Sequence, residues 1–441
     1  MQNLLKSPLN VKNIPIELLK PYKNNAKVHP EAQIQQIINS IKEFGFNNPI
    51  LIDENNEIIA GHGRFEAAVA MNLTDIPSIK LSHLSEVQKR AYRLADNKIS
   101  ENGGWNEDLL KLEFSELEFL CEDLDLSLTG FNDIELDVLT NKATSQVDEK
   151  LNTIPFVSES EIISRQGDVW TIGKHRIICG NSLERKTFEK LFNKQKADMV
   201  LQDPPYNVKI SGHVCGTGHI KHKEFSFAAG EMESSEFEKF LKANFELCVQ
   251  FSKSGSLHYN FMDWRHMREI LNAGERAFDA FINMCVWVKS SGGMGSLYRS
   301  QHELCFIFKN GKSQHTNNVM LGKYGRYRTN IWQYAGVNSF GKHKNDIRFH
   351  PTVKPVEMLK DALLDVTTRG NIVLDSFLGS GSTLIAAQQA KRICYGIEYE
   401  PLYVDTTIRR YFEIFGEDAV LEKTGETYSE LLKRKKEELN V

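Results

Sequence analysis

Residues 371–398 read NIVLDSFLGSGSTLIAAQQAKRICYGIE, and the order of residue types in this stretch decides the fold. Asn371 to Phe377 is apolar and β-branched, the composition of a buried strand. Leu378-Gly379-Ser380-Gly381-Ser382-Thr383 breaks it, because glycines free the backbone where the chain must turn sharply. Leu384 to Ala390 is a good helix former. Arg392 to Ile397 is a second apolar strand, ending on Glu398. Strand, glycine turn, helix and strand make a βαβ unit, whose crossover sets the two strands parallel. The fold class predicted is therefore α/β, an open Rossmann-like sheet with helices on both faces. Such sheets bind ligands beyond the carboxyl ends of their strands, where Asp375, the turn and Glu398 all fall.

The chemistry of this turn selects among cofactors. A dinucleotide needs Gly-x-Gly-x-x-Gly to seat its pyrophosphate at a helix N-terminus. Leu384 and Ile385 follow where a third glycine is looked for, and Asp375 repels a pyrophosphate. The acid suits a cationic ammonium, and Glu398 suits the two hydroxyls of a ribose. This favours S-adenosylmethionine over a nicotinamide cofactor.

A second constellation lies upstream. Ala197 to Gln202 reads as a short buried strand, and Asp203-Pro204-Pro205-Tyr206 comes directly after it. Proline cannot donate to a sheet ladder, so the Pro-Pro pair ends the strand and stiffens the chain beyond it. A carboxylate, a fixed carbonyl and an aromatic ring at a strand tip suit the exocyclic amino group of a nucleobase.

Composition bounds the rest. The 441 residues allow two or three domains, with 41% hydrophobic and 25% charged residues, as in a soluble globular chain. No apolar run spans a bilayer and MQNLLKSPLN lacks a signal-peptide core, so a cytoplasmic location without a membrane is expected. Seven cysteines, none in a Cys-x-x-Cys pair, indicate neither zinc nor a disulfide framework. Segment 207–230 carries His213, Cys215, His219 and His222, but the spacing fits no ligand pattern, so no metal is expected. A loop over the target base is the reading there. Charge is uneven: 101–150 holds 14 acidic residues against three lysines, with helical leucine spacing (Leu109, Leu112, Leu117, Leu120, Leu124) that suggests solvated amphipathic helices. A polar linker, 140–146, comes next and splits the chain near 145. Conversely, 309–348 holds eight basic residues against Asp346 alone, interleaved with Tyr324, Tyr327, Trp332 and Tyr334.

Asp-Pro-Pro-Tyr followed by Asp-x-Phe-x-Gly-Ser-Gly-Ser-Thr resembles the DNA amino-methyltransferases, and the order of the two motifs resembles the beta class of that family. Gly167 to Ser182, Trp287 to Lys289, Arg299 to Lys309 and His350-Pro351-Thr352-Val353-Lys354-Pro355 resemble further family segments, so the match spans about 165–412. The resemblance implies Asp203, Pro204, Pro205 and Tyr206 as catalytic residues. It implies Asn181, Ser182, Lys354, Asp375, Phe377, Gly379, Ser380, Gly381, Ser382, Thr383 and Glu398 around S-adenosylmethionine. The family commonly has Asp where this chain has Asn181. Asp at the first catalytic position leans towards adenine N6, and Ser would lean towards cytosine N4. Double-stranded DNA is the expected partner, with Lys323, Arg326, Arg328, Lys342 and Lys344 in a target-recognition stretch, and a homodimer is implied by the class.

The N-terminal part reads separately. Pro49 to Asp53 and Glu57 to Gly61 are paired strands with a tight Asn55-Asn56 turn, and Gly61-His62-Gly63-Arg64 opens a helix. With Pro21 to Ala26 and a helix over 31–44, this resembles the ParB/sulfiredoxin-like domain, a small α+β unit. That implies a nucleotide site at Gly61, His62, Gly63 and Arg64; only Gly61 and Arg64 match the Gly-Glu-Arg-Arg signature. The domains expected are 1–100, an acidic segment 101–150, and a methyltransferase domain 151–441. Two other functions compete: a ParB-like DNA-binding protein with a decayed methylase, and methylation of RNA or protein amides. Intact Asp203, Tyr206, Asp375 and Glu398 argue against the first, and Asp203 with the basic stretch against the second.

Overall fold

The computed structural model describes residues 9–120, 125–140, 149–207, 230–292, 297–319, 326–336 and 353–439. The chain divides into two compact units, Met1–Thr140 and Asn141–Val441. None of its described helices is long and apolar enough to cross a membrane.

The first unit contains β1 (Val11–Pro15), α1 (Glu31–Phe44), β2 (Ile50–Ile52), β3 (Ile58–Ala60), α2 (His62–Ala70), β4 (Asp75–Lys80), α3 (Glu86–Glu101), α4 (Glu107–Leu120) and α5 (Asp133–Thr140). Its sheet runs β1-β4-β2-β3. The expected hairpin is present: Asp53 Oδ1 accepts the amides of Asn55 and Glu57, each at 2.8 Å, and Asn56 takes φ 63°. An aspartate closing the turn and an asparagine tolerating left-handed backbone supply what the turn needs. Ile50, Ile52, Ile58, Ala68 and Ile76 pack as its core. Lys89 of α3 is buried among the carboxylates of Asp53, Glu54 and Glu86, at 3.5, 2.8 and 2.8 Å.

The acidic segment folds differently from its leucine spacing. α4 and α5 form a small core of Phe114, Leu126 and Leu136, with Leu110 and Leu117 against it. Leu109, Leu112 and Leu120 are exposed. The buried stripe is the one Phe114 can bring edge-on to Phe131, at 5.3 Å. Leu124, Cys121 and most of the linker lie outside the described residues.

The second unit contains α6 (Glu149–Asn152), β5 (Val169–Ile172), β6 (His175–Cys179), α7 (Arg185–Phe192), β7 (Ala197–Gln202), α8 (Ser234–Gln250), β8 (Ser252–Met262), α9 (Met267–Ala277), β9 (Ala280–Val288), β10 (His302–Lys309), β11 (Ile331–Gln333), α10 (Val356–Val366), β12 (Ile372–Asp375), α11 (Ser382–Gln389), β13 (Ile393–Glu398), α12 (Pro401–Phe415), β14 (Val420–Leu421) and α13 (Tyr428–Leu439). Its ten strands run β11-β9-β10-β8-β7-β12-β13-β6-β5-β14. The central five, from β8 to β6, are parallel. The alternation of side chains shows both faces covered. Met199 and Leu201 of β7 and Val373 of β12 join the core containing Leu359, Leu363, Leu384 and Ile408. Val200, Ile372 and Leu374 point the other way, towards Phe188 and Leu191 of α7. From β7 the chain moves outward to β8, whereas from β12 it moves outward to β13. β7 and β12 therefore flank a switch point, and their carboxyl ends open a crevice.

Candidate active site at the carboxyl edge of the sheet

Asp203 leaves β7 at that crevice. Its Oδ1 accepts the Tyr206 hydroxyl at 2.6 Å and its Oδ2 the Lys354 ammonium at 2.5 Å. Lys354 precedes Pro355, the N-cap of α10, and is only 5% exposed. The same ammonium lies 3.2 Å from Glu303 Oε2 in β10. The Tyr206 hydroxyl is 3.3 Å from that oxygen, and Lys289 pairs with the other one. Two carboxylates thus share two ammonium groups and one phenol. Burial raises Asp203 above the usual carboxylate range, against the pull of Lys354. Burial acts on Glu303 too, but Lys354 and Lys289 hold it down at about 2. Burial and then Asp203 push the Tyr206 phenol well up, so it stays a donor.

Asn207 fixes where the chain goes next. It takes φ 53°, and its Oδ1 accepts the amides of Gly230 and Met232 at 3.1 and 3.2 Å. The expected base-covering loop lies almost wholly outside the described residues.

Behind Asp203 is a buried polar layer. Gln202 Nε2 donates to Asn244 at 3.1 Å and to Asn260 at 2.6 Å, and its Oε1 accepts from Ser376 at 2.5 Å. Asn244 of α8 donates to the Ser182 carbonyl at 3.1 Å and to Ser376 Oγ at 3.0 Å. Three loops of the crevice are thereby tied to one side chain.

The glycine turn is held by its own acids. Asp375 Oδ1 accepts the Phe377 amide at 3.0 Å, and Oδ2 the Thr383 hydroxyl at 2.6 Å. Glu398 accepts the amides of Gly379 and Glu400, each at 2.8 Å. Gly381 caps α11 with φ 82°, where a Cβ would meet Thr407 at 2.6 Å. Arg410, fully buried, donates to the Ser380 carbonyl at 2.9 Å and the Leu151 carbonyl at 2.6 Å. Burial pushes both Asp375 and Glu398 up to about 7. An acidic turn whose Gly379 amide already faces a carboxylate repels phosphate and accepts hydroxyl and ammonium donors, a donor set that fits S-adenosylmethionine. Asn181 closes its own turn, its Oδ1 accepting the Leu183 amide at 2.9 Å, and Ser182 is buried.

Four of the expected site residues make contacts that the sequence does not reveal. Arg326 and Arg328 are ion-paired with Asp361 and Asp365 of α10, Arg326 to Asp365 at 2.6 Å and Arg328 to both at 3.2 Å. These ion pairs hold the segment to α10. Lys354 is the counter-ion of Asp203 in this structure. His62 accepts the Tyr22 amide through Nε2 at 3.3 Å, burial lowers its pKa to about 4, and it lines the cleft of the first unit beside Gly61, Gly63 and Arg64. Lys323, Lys342, Lys344 and 350–352 lie outside the described residues. Sequence reasoning gave no role to Glu303, Lys289, Asn244 or Arg410. Glu303 did carry a signal, as a charge at the head of an otherwise apolar strand.

In the first unit, a cleft of about 520 Å³ is lined by Lys27, His29, Gly61, Gly63, Arg64 and Asp96. Arg64 Nε is buried there without a hydrogen-bond partner among the described residues.

Three family profiles match the chain. The profile of the DNA methylase family matches residues 197–409, that of the ParB N-terminal domain 2–98, and that of the ParB-methyltransferase HTH domain 108–166. The ParB-like nuclease domain-containing protein YnaK of Escherichia coli is 49% identical over 76 residues, covering 17% of this chain and 87% of that protein. The type II methyltransferase M.HpaI of Haemophilus parainfluenzae is 23% identical over 263 residues, 56% of this chain and 78% of that one. The crystal structure of TTHA0409 from Thermus thermophilus, a putative DNA modification methylase complexed with S-adenosyl-L-methionine, aligns at TM-score 0.38 with 18% identity, over 55% of this chain and 95% of that one.

Proposed function

Because the chain belongs to the DNA methylase family and carries a ParB N-terminal domain, we propose that it methylates the exocyclic N6 of an adenine flipped out of double-stranded DNA. The observation that carries this reading is Asp203, a half-buried carboxylate at the end of β7, one strand away from the acidic glycine turn of β12. S-adenosylmethionine supplies an electrophilic methyl group. An exocyclic amino group is a poor nucleophile, since its lone pair is delocalised into the ring. Asp203 and the Pro204 carbonyl each accept one amino hydrogen, which draws the nitrogen towards tetrahedral and exposes that pair. Both acceptors are set in advance by the Pro-Pro backbone, so little reorganisation is required during the reaction. The N–C bond forms as the C–S bond breaks, its electrons remaining on sulfur. The amino proton passes to Asp203, whose raised pKa suits it to accept. Flipping the base costs a few kcal/mol, and the Tyr206 ring offers the stacking surface that offsets part of it.

The first unit supports nucleotide binding at its cleft, where Gly63 and Arg64 lie at the start of α2. DNA contact by the first unit is the other role consistent with its family.

Long-read sequencing of DNA from a methylation-free host expressing the whole chain tests the reading. N6-methyladenine at a fixed position in one recurrent sequence is expected. Modified cytosine at such a site would overturn the choice of base, and unmodified DNA the proposal itself.

A further inference from the structure

We propose that Lys354 is an ion-pair latch on Asp203, and that Glu303 is the station to which it withdraws when the target amino group enters. The inference rests on Asp203 as the amino-group acceptor. Among the described residues, both oxygens of Asp203 are in use, one by the Tyr206 hydroxyl and one by Lys354. An incoming amino hydrogen competes there with a donor already in place, and the ammonium is the stronger of the two. Lys354 cannot leave for water: it is buried, and a buried ammonium without a carboxylate costs several kcal/mol. Glu303 Oε2, 3.2 Å from the same nitrogen, is the carboxylate within reach. Lys289 on the opposite oxygen keeps Glu303 charged and in place, and the short shift of a flexible side chain completes the exchange. Val356 directly after Pro355 donates its amide to Asn152 at 3.1 Å, so the lysine backbone is anchored and the motion is confined to the side chain.

The latch has a second effect. Asp203 faces Lys354 from the head of α10, Tyr206 from its own turn, Glu303 and Cys305 from β10, and Asp375 from β12. Burial and Glu303 favour the neutral carboxyl, whereas Lys354, the cation of that set, and the Tyr206 hydroxyl favour the ionised one. Lys354 therefore biases Asp203 towards the ionised form that accepts a hydrogen.

The experiment measures tritium transfer from S-adenosylmethionine to DNA by the full chain between pH 6 and 9. Lys354→Met should shift the acidic limb of the rate profile upward by roughly 1–3 pH units, the effect of removing one close opposite charge, with transfer recovered at alkaline pH. Lys354→Arg should restore most of the shift. Glu303→Gln should lower kcat at least about tenfold with little change in cofactor affinity, because Lys354 then stays on Asp203. The Lys354→Met/Glu303→Gln double variant should match Lys354→Met alone, since no lysine remains to be parked; this arm holds even where Glu303→Gln by itself folds poorly. An unshifted acidic limb in Lys354→Met, or additive losses in the double variant, overturns the latch. Asp203→Asn is the separate control: transfer retained by it would overturn the reading of Asp203, whereas its loss beside unchanged Lys354 variants would overturn the latch alone.

Discussion

Asp375 and Glu398 show how a single residue can set both the shape and the pH response of the cofactor turn. Each is buried, each spends its oxygens on loop donors, and each is pushed up to about 7 against unperturbed values of 3.8 and 4.5. A folded-state pKa above the unfolded one means stability that is full below the lower value and lost as pH rises through the higher. Ionisation near neutrality therefore costs fold stability, and a ligand presenting an ammonium or hydroxyls returns it. Cofactor affinity should accordingly fall as pH drops, by roughly tenfold or more between pH 7.5 and 5.5 if one of these acids must ionise. Calorimetric titration with S-adenosylmethionine at the two pH values measures this. Asp375→Asn should flatten the dependence, and an equally steep one in that variant would remove Asp375 from the account.

At the scale of elements, the glycine turn depends on a helix far from it in sequence. Arg410 of α12 donates to Ser380 in the turn and to Leu151 in α6. Arg410→Met leaves those carbonyls without their donor, at about 1–3 kcal/mol for an unsatisfied buried group. The loss falls on the turn and not on Asp203, so the KM for S-adenosylmethionine should rise about tenfold while kcat changes little. Steady-state kinetics separates the two, and a fall in kcat alone would count against it. This dependence was not legible in the sequence, because a buried arginine is recognised only by partners 30 and 259 positions away. β7, the βαβ unit and the β2–β3 hairpin were legible, since their patterns are local: a strand closed by two prolines, glycines between strand and helix, an Asn-Asn turn. β1, α3 and β4 went unread. α4 is legible from its helical spacing, but its buried face is not, because Phe114 with Leu110 and Leu117 forms it while Leu109 and Leu112 stay exposed. The ion pairs of Arg326 and Arg328 are hidden for a related reason: basic composition does not reveal that Asp361 and Asp365 stand opposite.

The whole molecule joins two units, each with a core of its own: Ile50, Ile52, Ile58, Ala68 and Ile76 in the first, and the two faces of the ten-stranded sheet in the second. Cooperative unfolding requires a shared core, so the intact chain should unfold in two calorimetric transitions. Ile50 and Leu374 are both fully buried, one in each unit. Truncating either to alanine removes about 2–5 kcal/mol from the unit that holds it. Ile50→Ala should lower one transition and Leu374→Ala the other. A ligand that binds the native form stabilises by RT ln(1 + [L]/Kd), about 2.7 kcal/mol at a hundredfold excess over Kd. S-adenosylmethionine should therefore raise the transition that Leu374→Ala lowers and leave its companion in place. The same scan with a nucleotide triphosphate should do the reverse if the cleft beside Arg64 is a binding site. A single transition moved by either substitution would mean that the units unfold as one, and the ligands would then report on the whole chain instead of on their own sites.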